Sequence, residues 1–75
     1  MATTKKRYFE FVEGTSSKFW EVWIDGNEVV TQWGKIGTPG RETRKEFPDA
    51  AKTKAGYDKL VAEKTGKGYV EKERP

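Results

Sequence analysis

The sequence predicts an α+β domain: a meandering antiparallel sheet of about four strands with one C-terminal helix packed on one face. Three observations carry that expectation. Apolar and polar residues alternate with period two through successive runs between residues 6 and 36. Turn sequences rich in glycine separate the runs, and Thr38-Pro39-Gly40 precedes a fourth. After Pro48 the period becomes helical and stays so to Thr65.

Each element has its own signal. Residues 6–13, KRYFEFVE, place Phe9 and Phe11 on one face and Tyr8, Glu10 and Val12 on the other. Residues 14–18, GTSSK, are turn chemistry. In residues 18–25, KFWEVWID, Trp20, Val22 and Ile24 share a face. Asp25-Gly26 signals a type I′ hairpin, whose two central residues take positive φ. The third strand, EVVTQWGKI, spans 28–36. Pro39 then fixes φ and Gly40 is free to go left-handed. Residues 41–47, RETRKEF, alternate weakly and suit an exposed edge strand, where charge deters aggregation.

Asp49 is a reasonable helix N-cap. Ala50, Tyr57, Leu60, Val61 and Lys64 recur at helical spacing beyond it. Gly56 costs about 1 kcal/mol relative to alanine inside a helix, which points to close helix–sheet packing. Gly66 and Gly68 end the helix, and Tyr69-Val70 adds a short extended segment. A helix on one sheet face leaves the other wet or reserved for a partner, so function is expected on that open face. A two-residue turn after Ile24 puts Trp33 on the face of Trp20 and Val22, whereas a three-residue turn or a bulge flips it. Trp33 and Lys35 share a face either way.

A chain of 75 residues is one marginal domain. Leucine, isoleucine, valine and phenylalanine supply only 13 residues, a fraction found in disordered chains. Ten aromatic residues, each able to bury about 150–250 Å², and a net charge of only +3 favour a small aromatic core instead. The domain is expected over residues 5–72, with disordered tails at 1–4 and 73–75. No run approaches a membrane span and MATTKKR lacks the apolar core of a signal peptide. With no cysteine present, the expected location is cytoplasmic.

Without histidine or cysteine, the common general base and the best nucleophile are missing, and no carboxylate cluster suggests a metal. No enzyme activity and no cofactor are expected. Gly34-Lys35-Ile36-Gly37 matches the GxxG loop of KH modules in letters, but its flanks read as strands rather than helices. A P-loop needs Ser or Thr after Gly-Lys, and Ile36 stands there. Recognition by a surface remains. Residues 35–67 carry nine basic and five acidic side chains, against four and five in residues 1–34. Trp33 offers a flat face to a base or sugar, Lys35 a charge to phosphate, and Gly34 and Gly37 allow close approach. Arg41, Arg44 and Lys45 continue the positive character. The plainer readings, a core Trp33 and an ordinary strand Lys35, stay open.

QWGKIGTPGR resembles the signature of WGR domains, a Trp-Gly-Arg triplet followed by [IV]-G-x-x-G. The likeness extends to the KFW-type second strand, to the spacing of Tyr57, Leu60 and Val61, and to the ending Glu63-Lys64-Thr65-Gly66-Lys67-Gly68-Tyr69. The resemblance implies a module like that of DNA-damage-responsive poly(ADP-ribose) polymerases and of small bacterial proteins, with none of the polymerase's chemistry. It implies Trp33 as a stacking platform at a terminal nucleotide, Gly34 as a close-approach position and Lys35 in place of the arginine. Ser17 and Lys18, in a loop over 15–18, become further donors. Lysine keeps the charge but loses the planar bidentate fork.

The expected function is therefore a small non-catalytic nucleic-acid-binding module, with recognition of DNA ends implied by the resemblance. Its interface would use Trp33, Gly34, Lys35, Ser17, Lys18, Arg41, Arg44 and Lys45. The partner is expected to be nucleic acid, DNA ahead of RNA, with no membrane and no small-molecule substrate, and the chain to act as a monomer. A protein-interaction module docking an acidic partner or a neighbouring domain is the alternative.

Overall fold

A computed structural model of the chain describes residues 4–73. The elements are β1 (Arg7–Glu13), β2 (Ser16–Asp25), β3 (Glu28–Lys35), β4 (Arg41–Glu46), α1 (Ala50–Gly66) and β5 (Val70–Lys72). The sheet is antiparallel with order β4-β3-β2-β1-β5. It has five strands rather than four, because the chain after α1 returns to pair beside β1. Arg7 holds that short strand: its guanidinium donates to both carboxylate oxygens of Glu71, at 2.9 and 2.7 Å. The pair pushes the Glu71 carboxyl below the usual range. Residues 1–3 and 74–75, most of the expected tails, lie outside the described residues. Thr4 exchanges two 2.9 Å hydrogen bonds with Ile24. No helix among the described residues is long and apolar enough to cross a membrane.

The strand boundaries shift the turns. Glu13 pairs with Ser16, so Gly14-Thr15 is the first turn, and Ser17 and Lys18 lie in β2 rather than in a loop. Asp25 pairs with Glu28, so the second turn is Gly26-Asn27, one residue later than expected. Gly26 has φ of 64° and Asn27 is not positive, so the turn is not type I′. It still has two residues, which keeps Trp33 on the face of Trp20 and Val22.

That face carries the core. Phe9, Trp20, Val22 and Val29 pack with Tyr57 of α1, joined by Ile24, Phe47, Leu60 and Val61. Asp49 caps α1 by accepting from the Lys52 amide at 2.8 Å. Thr53, not Ala50, is the buried residue of the first turns; its hydroxyl bonds the carbonyl of Asp49 at 2.7 Å and lies 3.3 Å from that of Asn27. Gly56 admits a close neighbour, but it is Phe47, whose ring occupies the space of a Cβ there, rather than the sheet.

The face away from the helix is not an open aromatic platform. Tyr8 and Phe19 stack with centroids 6.0 Å apart, Lys6 lies 4.3 Å from the centre of the Trp23 ring, and Val30 and Glu21 are buried. The β3–β4 turn folds against this side. A Cβ on Gly34 would stand 2.8 Å from the Gly40 Cα, and one on Gly40 would stand 2.3 Å from the Trp33 carbonyl oxygen and 2.8 Å from the Phe19 ring. The Gln32 side chain ties the turn down by donating to the Pro39 carbonyl at 2.6 Å.

Gly40 has φ of 71°, so any side chain there meets both backbone strain and a backbone clash. Gly40→Ala is expected to lower unfolding free energy by at least about 2 kcal/mol in urea titration; an unchanged midpoint would show that the turn does not rest on Gly34.

Candidate nucleic-acid interface

The β2–β3 register places Trp20 opposite Trp33 and Lys18 opposite Lys35. Trp20 lies under the end of α1, whereas Trp33, one strand further out, is 42% exposed. Trp33 and Lys35 thus share the helix side of the sheet rather than the open face, at the end that α1 leaves uncovered. Trp33 is neither a core residue nor part of the opposite face.

An open cleft of about 530 Å³ forms there, lined by Ser17, Lys18, Trp33, Lys35, Lys64 and Tyr69, with Gly34 at its edge. The sequence reading missed two of these. Lys64 continues the α1 stripe of Thr53, Tyr57, Leu60 and Val61, and a charge on a core-facing stripe was the available signal. Its ammonium lies 5.7 Å from the Trp20 ring centre and 5.2 Å from that of Tyr69. Tyr69 is brought in by the chain reversal after α1, where its amide donates to the Lys64 carbonyl at 3.1 Å and its ring meets Phe11. Sequence spacing does not show that reversal.

The cleft is electropositive and uncompensated. Among the described residues, ion pairs engage Arg7, Arg44, Lys54 and Lys72, and none engages Lys18, Lys35 or Lys64. Like charges directly opposite on neighbouring strands are destabilising, as Lys18 and Lys35 are. Burial holds the Lys64 ammonium below the ordinary lysine range; repulsion from Lys67 and Lys18 adds to this and Glu63 opposes it. Among the described residues no carboxylate lines the cleft, although the chain has twelve acidic side chains. An anion seated there offsets the repulsion among Lys18, Lys35 and Lys64.

The remaining expected residues divide. Arg41 pairs with Trp33 and shares its face, while Lys45 lies on the same face further along β4, 5.4 Å from the Phe47 ring centre. Arg44 is turned to the other face, held by Glu42 at 3.0 Å and by Asp25 and Glu28 at 3.2 Å. The structure does not bring it to the cleft. Gly34 lines the cleft, and a side chain there would meet Gly40, which crosses behind it.

The family model for the WGR domain matches residues 5–75. The chain belongs to the WGR domain family. This WGR domain carries Trp33-Gly34-Lys35 where the family triplet has arginine in third place. It is 46% identical over 65 residues to protein YehF of Escherichia coli K12, covering 87% of this chain and 24% of that one. It is 33% identical over 66 residues to YfeS of the same organism, covering 88% and 27%. The chain spans about a quarter of the length of these curated relatives. A crystal structure of a Bacteroides fragilis protein matches with a TM-score of 0.90 and 42% identity, over 92% of this chain and 20% of that one. WGR domains are not themselves catalytic, and in poly(ADP-ribose) polymerases they bind nucleic acid.

A bound anion stabilises protonated Lys64, so affinity for any polyanion falls as pH rises through the lysine's own pKa, below the ordinary 10.5. Arginine stays charged throughout that range. Fluorescence anisotropy with labelled DNA across alkaline pH should show the fall for the native chain and a flatter profile for Lys64→Arg; coincident profiles place Lys64 outside the interface.

Proposed function

We propose that this WGR domain is a non-catalytic nucleic-acid-binding module that takes the end of a DNA strand in the cleft beside Trp33. The half-exposed indole is the stacking platform. Lys18, Lys35 and Lys64 face phosphate, Ser17 borders the cleft from a strand position whose side chain alternates to the other face, and Arg41 and Lys45 extend the positive face. One observation carries this reading: three lysines with no ion pair among the described residues converge on an exposed tryptophan, in a cleft that no described carboxylate lines. A flat ring beside cations suits a base or sugar joined to phosphate. A strand end leaves one face of its terminal base free for the indole, whereas bases in the middle of a duplex are stacked on both sides.

The same cations suit an acidic segment of a partner or neighbouring domain. In YehF and YfeS about three-quarters of the chain lies outside the matched region.

A fluorescent blunt duplex with a 5′-phosphate, competed with a closed dumbbell duplex at two salt concentrations, tests the reading. Binding should weaken with salt at a log–log slope of about −0.9 per phosphate contacted, and the dumbbell should fail to displace it. Trp33→Ala should remain folded and lose about 1–3 kcal/mol of binding, and Lys35→Glu should weaken binding at least about tenfold. Absence of binding at low salt, or a Lys35→Glu variant that binds like the native chain, overturns the DNA reading in favour of an acidic protein partner.

A further inference from the structure

Trp33 has a second cleft on its other side. It holds about 470 Å³ between α1 and the β3–β4 edge, with Val29, Leu60 and Trp20 as apolar walls and Thr31 and Thr43 as polar groups. The two threonine hydroxyls bond each other across the strands. Trp33 and Lys64 line both clefts, and Arg44 and Lys45 border the second. Among the described residues no carboxylate lines this cleft either. By contrast, the groove at the β1–β5 edge mixes its lysines with Glu71 and Glu73. The indole therefore stands as a partition with open space on both sides and Lys64 at the junction.

Resting on the nucleic-acid reading above, we propose that the second cleft takes the next nucleotide of the same strand, so that Trp33 stands between two consecutive nucleotides and Lys64 meets the phosphate joining them. The apolar walls suit a base, and the threonine hydroxyls offer it a donor and an acceptor. A partition of this kind is a specific fit to a chain of flat rings linked by anions; an acidic peptide makes no use of it. Inserting a ring between neighbouring bases roughly doubles their rise of about 3.4 Å. Single strands stretch to allow this, whereas a base-paired step must be unstacked and kinked. The domain should therefore prefer a duplex end that carries a short single-stranded extension.

Hairpin duplexes provide the probes: one blunt with a 5′-phosphate, and others with two unpaired nucleotides on the 5′ or the 3′ strand. The native chain should bind one of the two extended hairpins at least about fivefold more tightly than the blunt one. Thr43 is exposed, and Thr43→Gln, which fills the second cleft without adding charge, should cancel that gain and leave blunt-end affinity unchanged. Equal affinity for blunt and extended ends overturns the second cleft while sparing the first. A gain that survives Thr43→Gln also overturns it. No binding to any hairpin overturns both readings.

Discussion

The pairing of β2 with β3 controls what this domain presents. Trp20 opposite Trp33 and Lys18 opposite Lys35 put two indoles and two ammonium groups on one face of two adjacent strands. A slip of one residue would move Trp33 and Lys35 to the other face and bury different side chains. The Gly26-Asn27 turn sets this register at one end. At the other, the Ile36 amide donates to the Ser17 carbonyl at 3.1 Å. Because α1 crosses over Trp20 and stops short of Trp33, one tryptophan is core and its cross-strand partner is surface.

The family triplet divides its work between the two faces of the sheet. Trp33 and Lys35 point to the helix side and line the cleft. Gly34 points away and admits the backbone of Gly40, which folds the β3–β4 turn against Phe19. The middle residue of the triplet thus holds the fold while its neighbours line the cleft. The lysine in third place keeps the charge that an anion needs, without the fork through which arginine bridges two acceptors.

The site is marked by the convergence of its cations. Arg7, Arg44, Lys54 and Lys72 are neutralised by carboxylates among the described residues. Lys18, Lys35 and Lys64 are left together, two of them cross-strand neighbours and the third partly desolvated against Trp20 and Tyr69. Such an arrangement lowers the stability of the isolated domain and raises its attraction for a polyanion.

By itself the sequence determined the meander, the edge position and exposure of β4, the Asp49 cap and the helix that follows, because alternation, turn residues and capping are local. It also placed Trp33, Lys35, Ser17 and Lys18 in one region, partly through the family signature. It did not determine the fifth strand, since Val70–Lys72 is too short to signal a strand and exists through its pairing with β1. Nor did it reveal Lys64 and Tyr69, which reach the cleft only through helix docking and the chain reversal after it. Arg44 looked like one more free cation until β4 turned it toward Asp25 and Glu28. The exposure of Trp33 beside a buried Trp20 was decided by tertiary structure alone: it depends on how far α1 extends across the sheet, and no local pattern encodes where a packed helix ends relative to a neighbouring strand.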